Sequence, residues 1–330
     1  MKAIKKRRII FKRYKKNPIL KPKRNSKWEK EAVFNPAAIY HQGKVHLLYR
    51  AIGEHENYIS RLGYAISEDG FNFKRVSKRP IFFPRRGYEK GAIEDPRLIK
   101  IKNKIFMTYV ALGVAPNNRP KPGIGMLKQI PRTALASTKD FKKWYRHGIL
   151  TPEGSDERDV VLFPEKINNR FVLIHRPYNW IGKQYGTMVP AMWIAYSRNL
   201  KNWHGHNLLM KPEENWEETK IGAGPPPIKT EAGWLLIYHG KDTKGIYRVG
   251  AVLLDLKNPE KIIARTTQPI FEPKENWEKE GDTPNVVFPE GLVVIEDKLF
   301  IYYGAADKVI GVATTSLSKL LDYLLSECKI

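Results

Sequence analysis

The sequence predicts an all-β protein: a five-bladed β-propeller followed by a short C-terminal helix. Three observations carry this reading. A block of a proline-containing turn, a short polar or basic stretch and an apolar run recurs five times. The copies are NPAAIYHQGKVHLLYR from Asn35, DPRLIKIKNKIFMTYV from Asp95, FPEKINNRFVLIHR from Phe163, PPPIKTEAGWLLIYHG from Pro225 and FPEGLVVIEDKLFIYYG from Phe288. Their prolines, Pro36, Pro96, Pro164, Pro227 and Pro289, are separated by 60, 68, 63 and 62 residues, a period expected of stacked supersecondary units. Alternation in HLLYR and FVLIHR, with β-branched and aromatic enrichment, favours strands over helices.

Each block supplies the inner strands of a blade, and the segment after it supplies the outer ones. Those segments are RLGYAISEDGFNFKRV, TALASTKDFKKWYRHGIL, AMWIAYSRNLKNWHGHNLLM, YRVGAVLLDLKNPEKIIART and VIGVATTSLSKLL. The stretches Ser67 to Phe73, Ser137 to Trp144 and Ser197 to Trp203 read as hairpin turns between outer strands, because Ser, Asp and Asn side chains bond nearby backbone amides. The domain reading is a basic leader over 1–16, a propeller over 17–316 and a helix over 317–330. Leu317, Leu320, Leu321, Leu324, Leu325 and Cys328 form one apolar stripe on that helix, with Ser316 or Ser318 as its cap. The stripe must cover a blade face or another subunit.

Composition agrees with one large water-soluble domain. The chain has 330 residues, 42% of them hydrophobic, enough for a substantial core. Its single cysteine, Cys328, allows no intramolecular disulfide and points to a reducing, cytoplasmic compartment. No apolar run reaches membrane-spanning length, and Ile9 to Phe11 is too short for a signal-peptide core. The formal net charge is +24, and residues 1–30 hold fourteen Lys or Arg against Glu29 alone. A nucleic-acid-binding arm is one reading of that excess. The favoured one is a solvated segment lying on the propeller, in a Lys-, Glu- and Arg-rich composition suited to high temperature. The remaining charge would draw anions such as phosphate.

Propellers gather functional groups where inner strands and their connections meet the axis, and these positions are polar here. The motif Glu94-Asp95-Pro96-Arg97 sets a carboxylate beside proline and a guanidinium, which suits Asp95 to general-acid work. Arg61, Arg158, Lys166, His175, Arg176, His239, Tyr247 and Asp307 lie on or beside otherwise apolar strands. Buried cations need partners. A bound oxyanion is one answer; ion pairs with Glu165, Asp159 and Glu290 are the other. The eight histidines show no metal-ligand spacing, and no phosphate loop or dinucleotide glycine motif appears.

The ordered set FNPAA, EDPR, DVVLFPEK, HRP, YHG and YYGAAD resembles glycoside hydrolase family 130, over roughly Asn17 to Ser316. The resemblance implies a five-bladed propeller acting on β-mannosides, mostly as a phosphorylase and often as an oligomer; that tilts the helix stripe toward a partner chain. It implies Asp95 as the catalytic acid, delivering its proton by way of a hydroxyl of the bound mannose. Asn35 and Asp307 would hold that mannose. Arg158, Lys166 and His239 would bind phosphate, with Arg61 as a further contributor, while His175, Arg176 and Tyr247 would form sugar-binding walls. Mannosidase members lack the basic set, so its presence favours phosphorolysis.

Phosphate is already an anionic nucleophile, so a phosphorylase needs one acid and a cationic cradle where an inverting hydrolase needs two carboxylates. The expected reaction is inverting cleavage of β-1,4- or β-1,2-linked manno-oligosaccharides to α-mannose 1-phosphate, with inorganic phosphate as co-substrate and no cofactor. The alternatives are a hydrolase recruiting Glu165 or Glu290, and a non-catalytic carbohydrate- or nucleic-acid-binding propeller. The linkage is left open; Pro116 to Pro131 and Tyr178 to Thr187 read as its determinants, since Gly-, Pro- and Asn-rich stretches suit loops over a pocket.

Overall fold

The computed structural model describes residues 11–114 and 130–330. Strand β1 (Lys12–Arg13) comes first in the chain but belongs to the last blade. Blade 1 is β2 (Ala32–His41), β3 (Lys44–Ile52), β4 (Ser60–Ser67) and β5 (Lys74–Arg75). Blade 2 is β6 (Ala92–Ile101), β7 (Lys104–Leu112), β8 (Arg132–Thr138) and β9 (Tyr145–Ile149). Blade 3 is β10 (Glu157–Leu162), β11 (Phe171–Pro177), β12 (Met192–Ser197) and β13 (His204–Met210). Blade 4 is β14 (Lys220–Ala223), β15 (Ile228–Thr230), β16 (Gly233–Lys241), β17 (Tyr247–Leu254) and β18 (Ile262–Arg265). After a short helix α1 (Asn276–Lys279), blade 5 is β19 (Val287–Ile295), β20 (Lys298–Ala305) and β21 (Val309–Ser316), with β1 as its outer strand. Helix α2 (Leu317–Glu327) follows.

Every described strand pair within the blades is antiparallel, and an apolar layer fills the space between each pair of neighbouring blades. One such layer joins Val33, Leu47 and Ala65 of blade 1 to Val293, Phe300 and Val312 of blade 5, which closes the ring. Because both faces of a blade are covered, its strands carry near-continuous apolar runs such as LLIY and VLI. Outer hairpins turn as the sequence indicates. Asp69 Oδ1 accepts from the amides of Phe71 and Asn72 at 2.8 Å, and Asn199 Oδ1 from those of Lys201 and Asn202. In blade 2 the hydroxyl in the turn is that of Thr138, bonded to the Phe141 amide; Ser137 instead pairs with His147.

Each blade also contains one buried glutamate that ties its second strand to its fourth. Glu29 receives Tyr49 Oη and Arg75 Nε, both at 2.9 Å. Glu89 receives Tyr109 and Arg146, Glu217 receives Tyr238 and Arg265, and Glu278 receives Tyr303 and Arg13. In blade 3 the same place holds Glu157, His175 and His206, with His175 Nδ1 2.8 Å from Glu157 Oε1 and Nε2 3.0 Å from His206 Nδ1. These five carboxylates are at most 1% exposed. Each is hydrogen-bonded on two sides or through a relay, which is what makes a buried charge tolerable.

The described end of the segment read as a basic leader, from Phe11, is part of this framework. Lys12 and Arg13 pair with Thr314 and Ala313, Phe11 enters the layer shared by blades 4 and 5, and Asn17 exchanges two hydrogen bonds with Val312. Residues 1–10 lie outside the described residues. Among the described residues no helix is long and apolar enough to cross a membrane.

Helix α2 is capped by Ser316, whose Oγ accepts from the Lys319 amide at 3.1 Å. Part of its stripe covers the fold itself, while Leu325 is 40% exposed. Leu320 and Leu324 are fully buried against blades 4 and 5, and the following residues join β18 through Arg265 N to Cys328 O at 3.0 Å and Ile330 N to Ile263 O at 3.1 Å. Each buried leucine contributes roughly 1.5–3 kcal/mol. A chain ending at Ser316 is therefore expected to keep its solution mass and to melt at a lower temperature. Light scattering with a thermal melt checks both; a fall in mass would put α2 at a subunit interface.

Candidate active site

Four of the five inner strands contain a bulge at the axis. In blades 1, 2 and 3 the bulged residues Asn35, Asp95 and Asp159 have φ of +45°, +50° and +55°. In blade 5 the extra residue is Glu290, between Pro289 and Gly291; in blade 4 the strand breaks at Gly224 instead. A bulge turns one side chain away from the alternation of the strand, and Asn and Asp tolerate left-handed backbone better than other non-glycine residues. A Cβ on Gly224 would lie 2.7 Å from Pro289 O, so the strand can approach the axis there only as glycine. The repeat seen in the sequence is real, but the bulge marks its phase. Pro36 and Pro96 follow it directly, whereas Pro164 lies beyond β10, toward the hairpin, and Pro227 lies in the break between β14 and β15.

Arg97 forms the hub on the axis. Its side chain is 2% exposed and reaches Asp159 Oδ1 at 2.9 Å, Glu290 Oε1 at 3.0 Å, Gly224 O at 3.2 Å and Asp95 O at 2.9 Å. The Glu290 contact is an ion pair without hydrogen-bond alignment, since neither Glu290 oxygen has a hydrogen-bond partner. Burial pushes the Glu290 carboxyl well above its ordinary range, against the pull of Arg97.

One side of the hub carries the acid. Asp95 Oδ1 accepts from Asn35 Nδ2 at 2.9 Å and Arg50 Nη1 at 3.0 Å, and Arg50 is itself held by Glu94 at 2.6 Å and Ser60 at 2.9 Å. Burial pushes the Asp95 carboxyl up, but Arg50, Arg97 and Asn35 outweigh it and the net direction is down. Beside it lies a cavity of about 580 Å³ lined by Arg50, His55, Tyr58, Asp282, Thr283 and Asp307. Asp307 accepts from Thr283 Oγ1 at 2.7 Å, and burial raises its carboxyl to about 6. The buried Oδ1 of Asn35 has no partner.

The other side is cationic. Arg158 and Arg176 face each other across β10 and β11. Arg176 donates to Asp159 Oδ2 from Nε at 2.8 Å and Nη2 at 2.5 Å. His239 is fully buried with neither ring nitrogen hydrogen-bonded, and burial lowers it to about 3. Tyr247 lies against it, ring centroids 5.9 Å apart, with the Lys220 ammonium 5.1 Å from the Tyr247 ring. Tyr178, at the start of the loop after β11, stands 47% exposed with Arg176 5.5 Å and Lys220 5.9 Å from its ring.

Asn35, Asp95, Arg158, Arg176, His239, Tyr247 and Asp307 are thus brought together, and three sequence assignments are not. Lys166 is exposed on the β10–β11 connection over the Phe171 ring at 4.5 Å, at the opposite end of β10 from Arg158 and roughly 15 Å or more along the strand. Arg61 lies on β4 of blade 1 and donates to the Ile59 carbonyl at 3.2 Å, whereas the cations of that side lie on blades 3 and 4. His175 is no sugar-facing wall: it fills the tyrosine position of the blade-3 glutamate triad. Of the two proposed loops, 116–129 lies outside the described residues.

Sequence reasoning missed Arg50 and Lys220, and gave Asp159 only as an ion-pair partner of the cations, which it is to Arg97 and Arg176. A signal existed for Arg50, which occupies in HLLYR the position of Arg176 in FVLIHR. Burial together with Arg176, Arg158 and Lys241 lowers the Lys220 ammonium to about 7. Lys220 therefore loses its charge as pH rises through about 7, and anion affinity should fall over the same range. The apparent KM for phosphate is expected to climb more steeply there in the native protein than in Lys220→Gln, where only the titration of phosphate itself remains. Lys166→Gln should leave the whole profile unchanged. Among the described residues no group of three or more His, Cys, Asp or Glu is placed to hold a metal ion.

The family model described as beta-1,4-mannooligosaccharide phosphorylase matches residues 6–326. The chain is 45% identical over 318 residues to a 1,2-beta-oligomannan phosphorylase of Thermoanaerobacter sp. (strain X514), covering 94% of this chain and 99% of the relative. It is 43% identical over 320 residues to a beta-1,2-mannobiose phosphorylase of the same organism, covering 93% and 98%. Its fold is similar to the solved beta-1,2-mannobiose phosphorylase of Listeria innocua in complex with beta-1,2-mannobiose, with a TM-score of 0.81, 28% identity and coverage of 96% and 99%.

Proposed function

Because the chain belongs to glycoside hydrolase family 130, we propose that this site performs inverting phosphorolysis of β-mannosides, releasing α-mannose 1-phosphate. One observation carries it: Asp95, held at the axis by Asn35 and Arg50, lies across the hub from a cationic group in which Arg176 Nη1 and both ring nitrogens of His239 are buried without hydrogen-bond partners. The mannose of the scissile bond occupies the cavity beside Asp95, held by Asn35, Arg50 and Asp307. Phosphate sits against Arg158, Arg176, Lys220 and His239, with Tyr247 alongside. Phosphate oxygen attacks the anomeric carbon as the bond to the leaving oxygen breaks on the opposite face. Asp95 supplies the proton to that oxygen by way of a mannose hydroxyl. Hydrogen phosphate enters with the proton that the leaving alcohol finally carries, so the balance closes without a cofactor.

Asp95 is ionised in the unliganded site, and a general acid must be protonated. Phosphate brings negative charge beside it and sugar displaces water; both push a carboxyl up. The cradle also aligns phosphate and raises its effective concentration. A hydrolase would need a second carboxylate to activate water. Glu165 is exposed and paired with Lys229 at 2.5 Å, and Glu290 is locked at the hub, so neither is placed for that role. The two relatives above 40% identity both carry β-1,2 names, which favours the β-1,2 linkage. Incubating α-mannose 1-phosphate with mannose tests both levels: product linkage read by NMR decides β-1,2 against β-1,4. Cleavage of mannobiose without phosphate would overturn phosphorolysis itself.

A further inference from the structure

The cation group contains one residue that charge alone would exclude. Asp159 is a 2% exposed carboxylate in the middle of it, its pKa held far below the ordinary range: burial raises it, but Arg176, His239 and Arg97 prevail. Its two oxygens are divided. Oδ1 receives the hub Arg97, and Oδ2 receives both Nε and Nη2 of Arg176. His239 Nε2 stands 3.6 Å from that same Oδ2, within charge range but beyond hydrogen-bond length. A Cβ on Gly222 would lie 2.4 Å from Oδ2 and 2.7 Å from His239 Cε1, so the glycine is what lets carboxylate and imidazole meet. Around this one carboxylate lie three buried nitrogens without hydrogen-bond partners: Arg176 Nη1, His239 Nδ1 and His239 Nε2.

We infer that Asp159 is the positioning residue of the phosphate subsite, fixing the Arg176 guanidinium so that its unpartnered Nη1, together with His239, meets the phosphate oxygens. The inference rests on the phosphorylase reading and deepens it. A guanidinium gripped along one edge by a carboxylate keeps a single orientation, and its remaining donor is set before the anion arrives. Oδ1 links this arrangement to Arg97, which also holds the Asp95 carbonyl; phosphate subsite and acid are thereby built on one rigid connection.

The sign of the effect separates this role from simple charge balance. By charge alone, a carboxylate beside the subsite repels phosphate, so Asp159→Asn would tighten phosphate binding. Positioning requires the opposite. The amide offers one oxygen and one NH₂ group, so it cannot accept from both arginines; Arg97, fixed also by Gly224 O and Asp95 O, keeps the oxygen, and Arg176, facing the NH₂ group, is released. The Kd for phosphate, by calorimetry, and the KM for phosphate should each rise about tenfold or more, the span of one charge-assisted hydrogen bond. The KM for mannobiose should hold. In an Arg176→Ala background, Asp159→Asn should add little, because the two act as a unit. Should Asp159→Asn fail to fold, Arg176→Lys keeps the charge and loses the two-point grip, and should weaken phosphate nearly as much as Arg176→Ala. Tighter or unchanged phosphate binding in Asp159→Asn, equal loss for both substrates, or full retention of phosphate affinity in Arg176→Lys would overturn the inference. Absence of phosphate binding to the native protein would instead overturn the phosphorylase reading beneath it.

Discussion

Asp95→Asn is expected to lower the phosphorolysis rate by about 10²–10⁴-fold while mannobiose still binds. The substitution is nearly isosteric. Asn35 and Arg50 can still surround the new side chain, and the φ of +50° at this position is one that asparagine accepts readily. What disappears is the proton. Stopped assays with α-mannose 1-phosphate release as readout, alongside calorimetric binding of mannobiose, separate the two effects. Turnover near the native rate would remove Asp95 from the acid role. Loss of sugar binding with loss of rate would make it a binding residue only.

The largest expected effect on stability is at the hub. Arg97→Met should destabilise the fold by about 3–5 kcal/mol, the cost of removing one partner from a buried ion-pair network. Methionine fills much of the volume but offers nothing to Asp159, Glu290, Gly224 O or Asp95 O. Glu290 is already pushed toward its neutral form, so Asp159 carries most of the penalty. The sign with pH follows. The native Asp159 carboxyl is depressed, so its contribution is present above the ordinary carboxylate range and fades as pH falls through the depressed value. Without Arg97 the carboxyl titrates higher, though Arg176 still holds it down, and the deficit relative to the native protein should be full at neutrality and shrink as pH falls below the ordinary carboxylate range. Urea unfolding from neutrality down to acid pH reads this directly; a deficit that never shrinks would mean lost packing, not lost pairing.

The five-fold period, the strand character and the outer turns were legible in sequence because they depend on local patterning. Apolar runs of strand length recur, and Ser, Asp and Asn stand where hairpins need side-chain acceptors. The buried glutamates could also have been read: Trp28-Glu29, Tyr88-Glu89, Trp216-Glu217 and Trp277-Glu278 recur ahead of the inner strands. Against that register, His175 stands in a tyrosine position, which explains why a histidine chosen for its chemistry has a structural place. Lys166 entered through a motif, DVVLFPEK, that straddles the end of β10, and motif adjacency does not say which end of a strand faces the axis.

By itself, then, the sequence determined the propeller, the acid motif EDPR and the surplus of cations, since each is written in a few consecutive residues. The tertiary structure decided which cations share a pocket. That choice rests on bulges that turn Asn35, Asp95 and Asp159 toward the axis, on glycines at 222 and 224 that let neighbouring strands close in, and on β1 completing blade 5 from the other end of the chain. None of these has a local signature, because each arises from how five blades meet. A strand's direction and a single inserted residue set whether a charged side chain faces water, a blade interior or the axis.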